Sequence, residues 1–241
     1  MKLEDLKIAI YADGADVQGM LEMAKKSYIK GFTTNPSLMK KAGVKDYLSF
    51  AKEVLAKIKK LPVSFEVFSD DFGEMKKEAE ILSALGSNVY VKIPVTNSKG
   101  EPSYDLINQL SEDAGVKVNV TAVFTFAQIR AAADALSART PSILSVFAGR
   151  IADAGVDARM HMKKAKEILR GEKKNIQLLW ASCREVYNII EAQEAGADII
   201  TVTNGLLKKA EKNLGKELDA FSLETVNMFL NDSEALGFNI I

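Results

Sequence analysis

The stretch VYVKIPVT, residues 89–96, is an apolar run interrupted by one charge, Lys92. Turn-forming residues flank it at 86–88 (GSN) and 97–100 (NSKG), and a short β-branched run between such turns is typical of a buried parallel strand. Burial of an unpaired ammonium group is costly, so it favours the neutral amine, which is a nucleophile. Lys92 is therefore either a reactive lysine or a strand-end lysine whose head reaches water.

The composition excludes several classes of protein. With 241 residues, 47% of them apolar, the chain can bury a large core and has the size of a single α/β barrel. The 32 basic and 32 acidic residues balance, so no overall charge favours nucleic acid or an anionic membrane. The single cysteine, Cys183, excludes an internal disulfide, and charges interrupt the opening MKLEDLKIAI where a signal peptide would be apolar. We expect a soluble, cytoplasmic protein that binds neither nucleic acid nor membrane.

The whole chain repeats one unit, a short apolar run followed by a stretch with helical spacing. The runs that predict strands are 8–13, 31–35, 63–68, 89–94, 118–123, 143–147, 177–182 and 198–203. Apolar residues with a period of about 3.6 predict helices between them, near residues 17–28, 47–58, 75–85, 106–110, 129–136, 158–169, 184–195 and 205–212. A further amphipathic helix is expected at residues 222–235.

This alternation predicts a closed (β/α)8 barrel, in one domain covering residues 1–241, with an additional C-terminal helix. A doubly wound open sheet is the alternative. Its dinucleotide-binding form has no support, because YADGAD follows the first strand where GxGxxG would stand. A barrel of this kind also predicts that polar residues at the C-terminal ends of the strands converge on one site.

Polar side chains stand at nearly all of these strand ends. They are Asp13, Thr33, Asn35, Glu66, Lys92, Asn119, Thr121, Ser145, Arg150, Ser182 and Arg184. Each one alone has an ordinary explanation as a helix cap, a strand threonine or a surface arginine. Glu66 and Lys92 lie within apolar strands, where buried charges need partners, and they could partner each other.

The remaining residue types narrow the chemistry. His161 is the only histidine and lies on a basic helical stretch, where we expect it to be solvated. A Ser-His-Asp triad and a catalytic zinc site with several His or Cys ligands are therefore excluded. An activated lysine, carboxylates for proton transfer and two arginines for phosphate remain. This set favours a Schiff-base enzyme that acts on a phosphorylated carbonyl compound.

Five segments stand in order on the predicted strands: GFTTNPSL at 31–38, VKIPVT at 91–96, NVTAVF at 119–124, SVFAGRIADAG at 145–155 and WASCRE at 180–185. Together they resemble the transaldolase family over nearly the whole chain, which implies a barrel of the class I aldolase kind. Chains of this length resemble the fructose-6-phosphate aldolase branch, which carries Gln in strand three and Tyr in strand six. This chain has Glu66 and Phe147 there, as transaldolases do, whereas Cys183 stands where Phe is more usual.

The resemblance implies transfer of a dihydroxyacetone unit from fructose 6-phosphate or sedoheptulose 7-phosphate to erythrose 4-phosphate or glyceraldehyde 3-phosphate, as in the pentose phosphate pathway. Lys92 would form the Schiff base, Asp13 would move the proton of the C4 hydroxyl, and Glu66 would act through a water held with Thr121. The resemblance also implies that no metal or organic cofactor is needed. It places the substrate against Thr33, Asn35, Asn119, Ser145, Phe147, Arg150, Ser182 and Arg184.

Two other functions and two positions of the C-terminal helix stay open at this point. A fructose-6-phosphate aldolase is the alternative function, and a non-catalytic sugar-phosphate-binding barrel is a distant one. The helix at 222–235 has Leu223, Val226, Phe229 and Leu230 on one side, so it could cap its own barrel or pack on a neighbouring subunit of a homo-oligomer.

Overall fold

The strands pair in parallel and in chain order until the last one pairs with the first, which closes a barrel in a computed structural model of the chain. The structure describes residues 1–170, 175–237 and 240. The strands are β1 (Ala9–Asp13), β2 (Ile29–Thr33), β3 (Val63–Glu66), β4 (Val89–Pro94), β5 (Val118–Val123), β6 (Ser142–Val146), β7 (Ile176–Trp180) and β8 (Ile199–Thr203). The predicted closed barrel is confirmed, and the open sheet is excluded because β1 and β8 are hydrogen-bonded neighbours.

Helices connect the strands and surround the barrel. They are α1 (Val17–Ala24), α2 (Pro36–Ala42), α3 (Tyr47–Lys57), α4 (Phe72–Ser83), α5 (Tyr104–Asn108), α6 (Phe126–Ala135), α7 (Ala148–Asp153), α8 (Ala158–Arg170), α9 (Tyr187–Glu194), α10 (Asn204–Asn213) and α11 (Leu218–Leu236). A π-helical turn, Gln109–Asp113, continues α5. The sequence did not predict α2 and α7, since each is too short to show an apolar stripe. No described helix is both long and apolar enough to cross a membrane.

Two apolar clusters hold the barrel. The larger one lies between the strands and the helices, where Val91 and Ile93 of β4 are fully buried. A smaller cluster fills the barrel itself and includes Tyr11, Ile143 and Leu179. The Tyr11 ring occupies the space beside Gly31, where an added Cβ would come within 2.5 Å of a ring carbon, so this position of β2 has no room for a side chain.

The alternation of side chains along β4 decides where Lys92 points. Successive residues of a strand face opposite sides of the sheet, so Lys92 shares a face with Tyr90 and Pro94, while Val91 and Ile93 face the helices. The inner face is the one that leads to the barrel interior. The charge in the middle of VYVKIPVT is therefore inside the barrel, and the apolar residues on either side of it are outside.

The predicted C-terminal helix forms as α11 but does not cap the barrel of its own chain. No residue of α11 is buried, and Leu223, Val226, Phe229 and Leu230 are all more than half exposed. Its contacts with the preceding segment include a salt bridge between Lys216 and Glu224.

Candidate active site

A cavity of about 520 Å³ opens at the C-terminal ends of the strands. All eight strands contribute to its wall, as the barrel predicts. The predicted site residues that line it are Asp13, Thr33, Asn35, Glu66, Lys92, Thr121, Ser145, Phe147, Arg150, Ser182 and Arg184. Barrel closure therefore brings together side chains that are separated by as much as 171 positions in the sequence, from Asp13 to Arg184.

The two charges within apolar strands pair with each other. Glu66 and Lys92 are opposite one another in the β3–β4 register, and Lys92 Nζ lies 2.7 Å from Glu66 Oε2. The ammonium also donates to the carbonyl oxygen of Thr34 at 3.0 Å, while Lys92 is only 8% exposed. A buried amine thus lies beside a carboxylate that can exchange protons with it, at the wall of a cavity.

Asp13 lies at the end of β1 in a network of donors. Thr33 Oγ1 lies 2.8 Å from Asp13 Oδ1 and 2.5 Å from Thr201 Oγ1. Asn35 caps α2, because its Oδ1 accepts from Leu38 N at 2.9 Å, and this cap turns its amide nitrogen towards Asp13 at 3.4 Å. Burial raises the pKa of Asp13, although Lys92 and the donated hydrogen bonds oppose the shift.

Asn119 is the predicted site residue that does not line the cavity. It is fully buried, its Oδ1 accepts from Ser145 Oγ at 2.7 Å, and its Nδ2 donates to Ser64 Oγ at 3.1 Å. Both polar atoms of its amide are therefore engaged behind the wall, and Asn119 orients the Ser145 hydroxyl, which does line the cavity.

Two features near the end of β5 were not predicted from the sequence. Thr121 Oγ1 is buried at the cavity wall and has no hydrogen-bond partner among the described residues. Ala122, the next residue, has φ 57°, which costs a residue with a Cβ roughly 1–2 kcal/mol. The pairing of β5 with β6 is irregular between Val120 and Val123, so this strain accompanies a bulge at the site.

Two arginines, Arg150 and Arg184, also line the cavity. Arg150, in α7, has its guanidinium 5.6 Å from the centroid of the Phe147 ring. Arg184 follows β7 and pairs with Asp153, at 3.0 Å between Nε and Oδ2 and 2.5 Å between Nη2 and Oδ2. Arg184 lowers the pKa of Asp153. Asp153 has no strand-end position, which is why the sequence pattern did not single it out.

Comparison with known proteins identifies the family. The family described as Transaldolase/Fructose-6-phosphate aldolase matches residues 10–240. The chain belongs to this family. Similar members are probable transaldolases from Methanococcus maripaludis strain C7 (36% identity, covering 83% of this chain and 87% of that protein), Chelativorans sp. strain BNC1 (34%, 88% and 93%) and Bartonella tribocorum (30%, 95% and 98%).

Solved structures with much lower sequence identity to this chain share the barrel fold. The tryptophan synthase A-subunit of Pyrococcus furiosus has a TM-score of 0.57 at 13% identity, covering 84% of this chain and 89% of that chain. The 3-hexulose-6-phosphate synthase of Salmonella typhimurium has a TM-score of 0.56 at 17% identity, covering 86% and 97%. At these identities the likeness shows the fold alone.

Cys183 is buried in the cavity wall. Its Sγ lies 3.3 Å from the Glu185 carbonyl oxygen, and burial raises the pKa of its thiol to about 12. At neutral pH the group is therefore a protonated thiol and a poor nucleophile.

His161 is half-buried, so the expectation that it is solvated was wrong. Its ring stacks on Phe126, with 4.2 Å between centroids, and its Nε2 is buried without a hydrogen-bond partner among the described residues. Burial lowers the pKa of His161, although the Phe124 main chain opposes the shift. The basic sequence around His161 in α8 did not predict this contact, because the aromatic partner, Phe126, lies on a different helix, α6.

Proposed function

We propose that this protein is a transaldolase that forms a Schiff base on Lys92. It would transfer dihydroxyacetone from fructose 6-phosphate or sedoheptulose 7-phosphate to glyceraldehyde 3-phosphate or erythrose 4-phosphate. The observation that carries this proposal is the buried Lys92 ammonium, 2.7 Å from the Glu66 carboxylate at the wall of the cavity. Membership of the family supports it, and a protein that only bound sugar phosphates would have no use for this pair.

The proposed reaction uses Lys92 as the nucleophile. The ammonium first passes a proton to Glu66, the neutral amine then adds to the C2 carbonyl of the ketose, and loss of water leaves an iminium ion. Asp13 takes the proton of the C4 hydroxyl, the C3–C4 bond breaks, and the iminium nitrogen receives the electron pair as an enamine. The aldose then leaves, a second aldose enters, and the same steps run in reverse. The raised pKa of Asp13 suits a group that must both accept and return this proton.

Glu66 would move protons during addition and loss of water. Its carboxylate is already hydrogen-bonded to the Lys92 amine. The hydroxyl of Thr121 at the same wall, which has no partner in the described part of the chain, offers a second hydrogen-bonding group for a water molecule in this position. An amide at residue 66 could hold such a water molecule but could not take its proton.

The cavity offers separate groups for the two ends of the substrate. Thr33, Asn35 and Ser145 would hold the hydroxyls of the dihydroxyacetone unit, with Asn119 acting through Ser145. Arg150, Ser182 and Arg184 would bind the aldose phosphate. Because Arg184 is paired with Asp153 in the present structure, the phosphate would share Arg184 with this carboxylate.

Fructose-6-phosphate aldolase is the second candidate, since the family description names both activities. Glu66 and Phe147 favour transfer, because the aldolase branch that the chain resembles carries Gln and Tyr there. The pentose phosphate pathway, a cytoplasmic location and a single domain over residues 1–241 stay predictions.

A homo-oligomer is also proposed. In proteins most of the stability of a helix comes from tertiary packing of its apolar face, and α11 has no buried residue on its own chain. A second copy that covers Leu223, Val226, Phe229 and Leu230 would supply the missing burial.

Borohydride trapping tests the lysine. Incubation with fructose 6-phosphate and borohydride should fix a reduced three-carbon fragment on Lys92, located by mass spectrometry. Lys92→Met should abolish it, whereas Lys117→Met should not, since Lys117 lies outside the cavity with its ammonium 5.7 Å from the Tyr90 ring centroid. An adduct on another lysine, or none, would contradict the mechanism.

A coupled assay with and without erythrose 4-phosphate separates the transaldolase activity from the aldolase activity, because only the aldolase releases free dihydroxyacetone when an acceptor is present.

A further inference from the structure

Tyr47, the first residue of α3, places its phenol hydroxyl against the main chain of Glu66. The hydroxyl accepts from Glu66 N at 2.8 Å and donates to Glu66 O at 3.0 Å. Both hydrogen bonds therefore go to the residue whose side chain pairs with Lys92. Tyr47 does not line the cavity, so it can act on the reaction only indirectly, through Glu66 and through Thr34, whose side chain also hydrogen-bonds to the phenol.

These two bonds replace a missing strand partner. β3 pairs with β2 only at Val63 and Ser64, and the last ladder bond on this side runs from Thr34 N to Ser64 O at 3.1 Å. Alternate residues of a strand direct their main-chain groups to the same neighbour, so the N–H and C=O of Glu66 also face β2. There the chain has already turned into α2, which begins with Pro36.

The position of the Tyr47 hydroxyl is itself set by packing. Asp46 caps α3 and accepts from Ser49 N at 3.0 Å, which fixes where the helix begins. The Tyr47 ring lies edge-on to Phe65, with 6.1 Å between centroids, and to Phe68, with 4.5 Å. The phenol thus reaches the end of β3 from a fixed helix start and an aromatic contact.

We infer that Tyr47 is a positioning residue for the Lys92–Glu66 pair. By supplying the donor and the acceptor that β2 does not provide, it holds the end of β3 in register with β4 and keeps the Glu66 carboxylate within hydrogen-bonding distance of the Lys92 amine. This role rests on the proposed Schiff-base function, because the pair is what it positions. Loss of the hydroxyl would let the end of β3 move and would misplace the proton acceptor.

Tyr47→Phe tests the inference, since it removes both hydrogen bonds and keeps the ring. The rate of borohydride trapping with fructose 6-phosphate and the kcat of transfer should fall by about 10- to 100-fold, the range for a small displacement of a reacting group. The KM for fructose 6-phosphate should change little. Binding of glucitol 6-phosphate, which has a phosphate and hydroxyls but no carbonyl, should stay as in the wild type.

Tyr28→Phe is the matched control. It removes another partly buried hydrogen bond of a phenol hydroxyl, which Tyr28 donates to Glu211 at 2.6 Å. Tyr28 directly precedes β2, so it lies at the end of the barrel away from the cavity. The variant should leave trapping unchanged. The inference is overturned if trapping in Tyr47→Phe equals that of the wild type, if Tyr28→Phe slows trapping as much, or if Tyr47→Phe loses glucitol 6-phosphate binding in parallel.

Amide hydrogen exchange on the wild type gives a test that does not depend on the folding of a variant. The Glu66 amide should be protected as strongly as the ladder amides of β4, and exchange at the rate of an exposed loop amide would overturn the inference. A wild-type protein that forms no adduct would contradict the proposed function, whereas an adduct that is insensitive to Tyr47→Phe would contradict only the role of Tyr47.

Discussion

Asp13 shows how burial, more than residue type, determines the chemistry of a side chain. Asp46 and Asp13 both accept hydrogen bonds from neighbouring residues. The bonds from Ser49 lower the pKa of the exposed Asp46, whereas burial raises the pKa of Asp13 despite its donors and Lys92. Removal from water penalises the charged carboxylate more than the donors at this site compensate.

Asp13→Asn should therefore change how stability depends on pH. Because the pKa of Asp13 is raised in the folded state, its contribution to stability is present below the ordinary carboxyl pKa and is lost as pH rises through the raised value. Asn does not ionise, so the variant should gain stability relative to the wild type as pH increases, while it loses transfer activity. Thermal unfolding from about pH 4 to about pH 8 measures this.

The control for this experiment is Asp46→Asn. The pKa of Asp46 is lowered, so its contribution is present above the ordinary carboxyl pKa and is lost as pH falls, which is the opposite sign. Parallel stability curves for Asp13→Asn and the wild type over the whole pH range would show that Asp13 has no raised pKa.

Phe147 is the residue that should decide between transfer and release. It lines the cavity after β6, with its ring 5.7 Å from that of Phe124, and it offers no hydrogen-bond donor. In Phe147→Tyr, a hydroxyl near the lysine-bound three-carbon fragment could position water or protonate the carbanion. We expect more free dihydroxyacetone and a lower ratio of transfer to hydrolysis, measured with and without erythrose 4-phosphate.

Phe124→Tyr adds the same hydroxyl to the adjacent ring, which also lines the cavity, and so serves as a comparison that changes only the position of the hydroxyl. It should leave the ratio of transfer to hydrolysis close to that of the wild type. If the ratio is unchanged in Phe147→Tyr, or falls equally in both variants, Phe147 does not control the outcome.

At the scale of elements, the contact between α7 and the end of β7 brings together the part of the cavity wall that contains Arg150 and Arg184. Gly149 N donates to Ala181 O at 3.1 Å, and an added Cβ at Gly149 would lie 1.6 Å from Ser182 O. Ser182 has φ 61°, so the chain turns there in a left-handed conformation. This close approach places Arg150 of α7 beside the segment that carries Arg184.

Gly149→Ala should separate these two elements. The inserted methyl group should lower the free energy of unfolding by about 1–3 kcal/mol, as overpacking does. It should also weaken binding of phosphorylated sugars more than use of free dihydroxyacetone, because the arginines that we propose for phosphate binding lie on the displaced segments. Urea unfolding and KM values for both donors measure the two effects.

Gly205→Ala is the comparison for this variant, since an added Cβ at this position of α10 would meet no described atom within 4 Å beyond its chain neighbours and its own helix backbone. It should cause no loss of stability, because Ala favours helix by up to about 1 kcal/mol over Gly. Equal KM changes for phosphorylated and unphosphorylated donors in Gly149→Ala would contradict the assignment of this wall to phosphate.

At the scale of the whole molecule, α11 is a helix with no buried residue, so the described part of the chain leaves its apolar side uncovered. Val226 is 57% exposed and Leu230 54% exposed, one helical turn apart on the same side. Since a single chain does not bury this side, its stability should depend on association with a second copy.

Val226→Lys combined with Leu230→Lys should shift the protein from oligomer to monomer in sedimentation velocity at micromolar concentration, because charges at the centre of an interface oppose burial. Val156→Lys is the control, as Val156 is 50% exposed but follows α7 rather than lying on α11. A monomeric wild type, or a double variant that associates like the wild type, would contradict the proposed oligomer.

The sequence alone determined the architecture. The bounds of β4 and β5 agree with the prediction, and the positions of Glu66 and Lys92 in apolar strands predicted their pairing. This worked because the period of the apolar residues records which side of each strand or helix is buried, and because eight alternations leave few closed arrangements. The polar strand ends likewise predicted most of the cavity wall, since parallel strands all end on one side of a barrel.

Only the tertiary structure decided which polar groups form hydrogen bonds or ion pairs with one another. Thr33 meets Thr201 across 168 positions, and Arg184 pairs with Asp153. Asn119 lies behind Ser145, and Tyr47 replaces the missing partner of Glu66. Periodicity carries no information on these contacts, because they depend on side-chain directions and on distances that arise only after the barrel has closed.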